Sequence, residues 1–136
     1  SDEILSTIKE VGLQDFIEVI GYVSHQEALV YQRKSQVLLL VEIDSQETIG
    51  IIPGKLFEYM AAKRPILGIG PKNWDVESIV EETKTGYICE HSDDIELKNV
   101  ILRWFENYQK GQLHIIADNI EQFSRRELTR KLAEYI

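Results

Sequence analysis

Apolar positions along the chain follow two alternating patterns. Short uninterrupted apolar runs are typical of strands that are covered on both faces of a parallel sheet, whereas apolar residues spaced three or four apart are typical of helices that bury one side. The runs predict four strands, over 16–23, 37–41, 66–69 and 86–90. The spaced segments predict helices over 4–11, 56–62 and 75–82, and after Ser24, Asp93 and Ser124. This alternation indicates an α/β fold, a parallel sheet with helices on both faces.

Polar residues mark the predicted helix ends. Ser24, Asp93 and Ser124 are each followed three positions later by Glu, the capping-box pattern in which two side chains bond free backbone N–H groups at a helix start. Gly12 is expected to end the first helix. Pro65 is expected to end the helix over 56–62, because the residue before a proline disfavours helical geometry. No linker, low-complexity tract or repeat divides the series, so residues 1–136 are expected to form one folded unit.

The charge of the chain is acidic overall but uneven. Its 15 Lys and Arg against 23 Asp and Glu give a net charge of −8, which argues against a general binder of nucleic acid or anionic membrane. Residues 53–72 carry four cations against Glu58 alone, a net +3, whereas residues 73–96 carry one cation against eight carboxylates, a net −7. A positive segment inside an acidic chain favours a small anionic ligand over a polyanion.

Several other site classes are absent from the sequence. The single cysteine, Cys89, excludes an internal disulfide and a zinc site built from cysteines, and we expect it to be a small buried apolar residue. The three histidines show no metal-ligand spacing, so no metal is expected. No apolar stretch approaches the roughly 18 residues of a membrane span, and no secretory leader is visible. We therefore expect a cytoplasmic protein, with peripheral membrane association of an intact larger enzyme left open.

The candidate chemistry lies where ligands bind in such folds, beyond the carboxyl ends of the strands. This edge is expected to hold residues 21–25, 42–55 and 68–75. Within it, Pro53 and Gly54 lead into a helix whose first backbone N–H groups can bind an anion, and Lys55 adds a positive charge there. Glu58 follows one turn later and can accept hydrogen bonds from two vicinal hydroxyls, such as those of a ribose. The alternatives are an ordinary turn and a Lys55–Glu58 surface ion pair.

A longer stretch around this segment resembles a known enzyme family. The sequence Ile-Ile-Pro-Gly-Lys-Leu-Phe-Glu-Tyr-Met-Ala-Ala-Lys-Arg-Pro-Ile-Leu over 51–67 is similar to the C-terminal nucleotide-sugar-binding domain of group 1 glycosyltransferases with the GT-B fold, the retaining enzymes like those of glycosyltransferase family 4. The stretches at 19–23, 37–41 and 86–88, with Asp93, fit the same pattern in the same order. The resemblance implies a Rossmann-like domain that is the truncated C-terminal half of a GT-B fold.

The resemblance also assigns roles to single residues. Glu58 matches the second Glu of the E-x7-E motif, which binds the ribose of the donor. Gly54 and Lys55 match the junction between loop and helix whose backbone amides approach the diphosphate and sugar, and Pro53, just before them, is a further candidate for donor binding. Tyr22 and Val23 match residues that line the base pocket, and no catalytic residue is assigned. The implied ligand is a nucleotide-sugar that serves as substrate, with no further cofactor.

Two positions depart from the family pattern. Gly50 stands where the first Glu of E-x7-E is expected, so the usual contact with the donor sugar is absent from the sequence. Lys63 stands where the family has a glycine at the end of the helix, and a lysine adopts the left-handed conformation only with strain.

The resemblance further implies that the chain is one partial domain, 1–136, of a larger two-domain transferase. The only methionine is Met60, so no initiator methionine is present, which agrees with a fragment. The acceptor, a glycan or lipid-linked sugar, is then expected to bind a missing N-terminal domain, and the fragment alone is expected to be inactive. The intact enzyme is expected to act in polysaccharide biosynthesis.

Two alternatives use the same fold without catalysis. One is a receiver-like signalling domain with Asp44 as phosphate acceptor, although the preceding predicted strand ends in Gly-Tyr-Val-Ser, with no acidic pair to hold magnesium. The other is an interaction domain without a small ligand.

Overall fold

Nine helices and strands form the framework of the described chain. The structure, a computed structural model, describes residues 2–136. The helices are α1 (Asp2–Glu10), α2 (His25–Lys34), α3 (Gly54–Ala62), α4 (Asp75–Thr83), α5 (Asp94–Gln109) and α6 (Arg125–Ala133). The strands are β1 (Leu38–Val41), β2 (Ile66–Gly70) and β3 (Gly86–Glu90). Short 3-10 turns lie at Gln14–Phe16, Gln46–Thr48 and Ile120–Phe123.

The three strands form one parallel sheet in the order β1-β2-β3. Leu38 pairs with Ile66, and Ile66 pairs with Gly86, so the strands start nearly level. Their carboxyl ends consequently meet at one edge, as the sequence predicts. Gly86 is required here because a side chain at this position would collide with the backbone of Ile66.

Helices cover both faces of the sheet, which confirms the predicted α/β class. On one face, α3 and α4 bury the larger core against the strands, formed by Leu40, Leu56, Met60, Ile66, Trp74, Val76 and Val80. On the other face, Val100 of α5 packs with Leu67 and Cys89. Cys89 is buried, as expected from its apolar surroundings.

The predicted strand over 16–23 is wrong. Phe16 ends a 3-10 turn, and residues 17–23 follow without a regular element. An apolar run becomes a strand only when a neighbouring strand satisfies its backbone groups, and within residues 2–136 this segment pairs with no strand of the sheet. Its apolar side chains are therefore exposed, with Phe16 at 83% and Val19 at 69%.

The missing neighbour also changes β1. The sequence predicts that this strand is covered on both faces, but only Leu38 and Leu40 are buried. Leu39 and Val41 on the opposite face are 55% and 56% exposed. β1 is thus an edge strand of the described sheet. The prediction that other elements cover both of its faces is wrong.

The predicted helix ends hold, with one change of residue. Ser24 and Glu27 form the complete capping box, and Ser124 accepts a hydrogen bond from the backbone N–H of Glu127. α3 ends at Ala62, because Lys63 adopts the left-handed conformation at φ 56° and ψ 41°. A lysine therefore adopts the left-handed turn that a glycine usually makes, and it ends the helix two residues before Pro65, where the end was expected.

Candidate functional site

Hydrogen bonds hold the loop 42–53 against the neighbouring loops at the carboxyl edge of the sheet. The indole N–H of the buried Trp74 donates to the carbonyl of Ile51 at 2.7 Å, and the backbone N–H of Asp75 donates to Ile49 at 2.9 Å. His91 Nε2 lies 2.6 Å from the carbonyl oxygen of Glu42. A carbonyl can only accept, so Nε2 carries the proton. These contacts fix the loop that leads into α3.

The amino end of α3 is open. Pro53 is its N-cap residue and offers no side chain to cap the helix. Gly54 and Lys55 are exposed on the first turn. The N–H groups of this turn point away from the helix, and together with the lysine they form a region of positive potential. The arrangement suits the negatively charged part of a ligand.

A groove runs between α2, α3 and the chain segment that contains the turn Ile120–Phe123 and α6. Its volume is about 780 Å³, which lies within the range of about 300–1,000 Å³ that is usual for sites of small molecules. Apolar side chains from all three segments line it, among them Leu29, Phe57 and Phe123, whose ring stands 6.0 Å from that of Phe57. Its polar lining includes Gln32 and Glu58.

Glu58 is half-buried on the second turn of α3 and faces α2. Its Oε2 accepts a hydrogen bond from Gln32 Nε2 at 3.2 Å. The partner of this carboxylate is therefore a neutral amide, and the alternative of a Lys55–Glu58 surface ion pair does not describe its hydrogen bonding. Burial, followed by the charge of Glu58, raises the pKa of the adjacent Tyr59.

The structure brings together some of the predicted site residues and separates others. Gly54 and Glu58 both line the groove. Pro53 and Lys55 flank Gly54 at the mouth of the helix without lining the groove. Tyr22 and Val23 lie in the segment before α2, where Tyr22 is fully exposed and Val23 is 36% exposed. Neither of these two side chains lines the groove.

The structure shows two polar residues in this region that the sequence did not single out. Gln32 is one, and Asp75 is the other. A Cβ placed on Gly50 would lie 3.8 Å from Asp75 Oδ2, so a carboxylate stands next to the position where the family motif has its first Glu. The contact of α4 with the loop 42–53 supplies this carboxylate from 25 positions further along the chain. A local motif does not contain it.

Cys89, outside the groove, belongs to the smaller core. Burial raises the pKa of the Cys89 thiol, and the nearby carboxylates of Glu96 and Asp93 raise it further. A protonated thiol is a poor nucleophile, which agrees with its expected role in the core. Over residues 2–136, no three His, Cys, Asp or Glu side chains come together where they could hold a metal ion. Over the same range, no helix is both long and apolar enough to cross a membrane.

Comparison with known proteins connects this geometry to an enzyme family. The family model described as "Glycosyl transferases group 1" matches residues 1–123. Neither the curated proteins nor the solved structures contain a match to the chain. The family match spans the sheet, the loop 42–53, α3 and most of the groove. This chain belongs to the group 1 glycosyltransferases.

Proposed function

We propose that the chain is the donor-binding part of a glycosyltransferase and holds a nucleotide-sugar at the amino end of α3. The observation that carries the proposal is the position of Glu58, a charged, half-buried carboxylate that lines a ligand-sized groove directly behind an open helix terminus. Family membership supports glycosyl transfer. It favours this proposal over a receiver-like domain with Asp44 as its phosphate acceptor and over an interaction domain without a ligand.

In this proposal Glu58 binds the ribose. A carboxylate oxygen accepts hydrogen bonds from hydroxyl groups, and a charged acceptor makes stronger bonds than a neutral one. The adjacent hydroxyls on C2′ and C3′ of a ribose can both reach one carboxylate. The apolar side chains Leu29 and Phe57 line the same groove, and an apolar surrounding strengthens such bonds.

The diphosphate lies at Gly54 and Lys55. When the bond between the anomeric carbon and the phosphate oxygen breaks, negative charge develops on the leaving diphosphate. The helix N–H groups and the Lys55 ammonium group stabilise that charge more in the transition state than in the bound donor, which lowers the barrier. The proposal assigns the positive charge to these groups and invokes neither a metal nor a cofactor.

The nucleobase lies toward the segment before α2. The ring of Tyr22 is exposed and can stack on a base, since aromatic rings stack on any nucleobase. Val23 and Pro53 supply apolar contacts beside it. The acceptor, a glycan or a lipid-linked sugar, binds to a part of the enzyme outside these residues. The transfer then retains the configuration of the anomeric carbon, in a cytoplasmic pathway of polysaccharide biosynthesis.

Calorimetric titration tests the assignment of Glu58. UDP, GDP and ADP are titrated into the wild-type chain and into Glu58→Ala. We expect at least one nucleotide to bind and the variant to lose roughly 10- to 100-fold in affinity, because a hydrogen bond to a charged group contributes about 1.5–3 kcal/mol. Glu47→Ala, an exposed carboxylate at the same edge that does not line the groove, is the control. Equal affinity of wild type and Glu58→Ala would refute the assignment.

A further inference from the structure

Gln32 makes an incomplete set of hydrogen bonds. Its amide nitrogen donates to Glu58 across the contact between α2 and α3. Its amide oxygen Oε1 is buried and has no hydrogen-bond partner within the described residues. Rotation of the amide would place Oε1 against Glu58 Oε2, and two acceptors cannot bond each other. The carboxylate therefore determines which end of the amide remains without a partner.

This arrangement is poor for stability alone. A buried carbonyl oxygen without a donor destabilises the fold, whereas an apolar residue of the same shape would leave no polar atom unsatisfied. Methionine has nearly the same length as glutamine and would fill the same place. The apolar neighbours of Gln32 in the groove, such as Leu29 and Phe57, suit a methionine equally well. The presence of a glutamine here points to a role in binding.

We propose that Gln32 is the positioning residue of Glu58 and a second acceptor for the ligand. Its N–H group holds Glu58 Oε2 toward α2, so the other carboxylate oxygen stays available to the groove. Its own Oε1, buried in this structure, accepts a hydrogen bond from a hydroxyl group of the ligand when the ligand moves aside the groove side chains that cover it. This inference rests on the proposed function and deepens it, because two acceptors on one wall of the groove select a ligand with two neighbouring hydroxyls. The ribose of the donor is such a group.

A neutral donor is important for this role. A lysine in place of Gln32 would also hold the carboxylate, but it would cancel the negative charge that makes Glu58 a strong acceptor. The amide fixes the direction of the carboxylate and leaves its charge intact. The contact joins two helices, so it also couples the conformation of Glu58 to the packing of α2 on α3.

The test uses Gln32→Met with a matched control on the same chain. Gln122 Nε2 donates to Glu82 Oε1 at 2.9 Å, the same kind of bond at a place that does not line the groove. Gln122 belongs to the turn Ile120–Phe123 beside the groove, but its side chain does not line the groove. Gln122→Met therefore removes an exposed hydrogen bond of the same kind without changing a groove side chain. Each variant is measured for its melting temperature and for its affinity for the tightest-binding nucleoside diphosphate and the 2′,3′-dideoxy form of that nucleotide.

We expect Gln32→Met to melt at or above the wild-type temperature and to bind the nucleotide about tenfold more weakly. The dideoxy nucleotide should bind Gln32→Met and the wild type equally, because the hydroxyls that the pair recognises are gone. Adding Gln32→Met to Glu58→Ala should cause little further loss, since residues that act together are not additive. Gln122→Met should leave both affinities unchanged.

The outcomes separate this inference from the proposed function. If the wild type binds nucleotide, Glu58→Ala binds it more weakly and Gln32→Met binds it as the wild type does, the role of Gln32 is overturned and the donor site remains supported. A lower melting temperature of Gln32→Met with unchanged affinity assigns Gln32 a purely structural role. Wild type that binds no nucleotide overturns the proposed function, and the ligand role of Gln32 with it.

One measurement requires no ligand. The side-chain NH₂ resonances of Gln32 are followed by NMR in wild type, Glu58→Ala and Glu47→Ala. Loss of the hydrogen bond in Glu58→Ala should shift these resonances clearly, and Glu47→Ala should leave them in place. Resonances that do not respond to Glu58→Ala would show that the pair is not formed, and this would overturn the positioning role whatever the chain binds.

Discussion

The replacement Trp74→Phe tests how the loop that precedes α3 is held. Trp74 is 1% exposed, belongs to the larger core, and donates its indole N–H to Ile51 in that loop. Gly70 on β2 lies so close to the indole that a Cβ there would collide with the ring. Phenylalanine keeps the aromatic packing in part but removes the hydrogen bond and three heavy atoms. The loop then loses the hydrogen bond that joins Ile51 to the core residue Trp74.

The size of the effect follows from these two losses. The hydrogen bond contributes about 0.5–1.5 kcal/mol net. One of the three atoms lost is the indole nitrogen, which is counted with the hydrogen bond, and the two buried carbons contribute roughly 1.6 kcal/mol at about 0.8 kcal/mol for each methylene-sized group. The free energy of unfolding should therefore fall by about 2–3 kcal/mol, which corresponds to a decrease in melting temperature of roughly 6–12 °C for a domain of this size.

Circular dichroism at 222 nm during urea and thermal unfolding measures this change without relying on tryptophan fluorescence. Trp104→Phe is the matched control, because Trp104 is half-buried against the smaller core on the other face of the sheet. It should lose only about 1 kcal/mol. Nucleotide affinity should fall in Trp74→Phe and remain unchanged in Trp104→Phe. Equal destabilisation by the two replacements would refute the account of the loop.

The remaining predictions concern the turn after α3 and the buried thiol. Lys63→Gly should raise the free energy of unfolding by about 0.5–1 kcal/mol in urea, because glycine removes the strain of the left-handed conformation, although the greater entropy of glycine in the unfolded chain offsets part of this gain. Lys34→Gly at the end of α2 is the control and should destabilise the chain. A lower free energy of unfolding for Lys63→Gly would contradict the strain at this position. Since burial raises the pKa of Cys89, its protonated thiol stabilises the fold fully below about pH 8.5, the ordinary thiol pKa, and this contribution falls as the pH rises toward the folded pKa. The melting temperature of wild type should therefore fall more steeply between pH 8 and 9.5 than that of Cys89→Ala, and parallel slopes would show that the thiol is not shielded.

Local sequence patterns predict the elements whose partners are close along the chain. β2, α4 and β3 follow one another with short connections, and their predicted bounds differ from the observed ones by at most one residue. In each case the residues that cover a strand lie in the helix next to it. The apolar spacing then carries enough information to place both elements.

The pattern fails where a neighbour in the sheet decides the outcome. Residues 16–23 have the apolar content of a strand, but strand formation depends on backbone groups beside them, and apolar content does not describe those groups. For the same reason the sequence could not show that Leu39 is exposed. Apolar content reports the tendency of side chains to be buried, and the actual burial depends on what lies next to them.

The site shows the same division. Pro53, Gly54 and Glu58 are close in sequence, so helix geometry places them together at one terminus. The partner of Glu58 is 26 positions away on α2, and the carboxylate beside Gly50 is on α4. Neither pairing follows from helix or strand periodicity, because each depends on how two elements pack.

Asp75 stands next to Gly50, the position of the first Glu of the family motif. Its carboxylate lies beside the position that a side chain of residue 50 would enter. A carboxylate is therefore present beside residue 50, supplied by a different element.

NMR mapping of nucleotide binding tests the donor site most directly. A ¹⁵N-labelled wild-type chain is titrated with the nucleoside diphosphate that calorimetry finds to bind most tightly. The account predicts that the largest shifts occur at the backbone amides of Gly54 and Lys55 and at groove residues such as Glu58. Shifts that cluster around Trp104 on the opposite face of the sheet, or no shifts at saturating nucleotide, would contradict it.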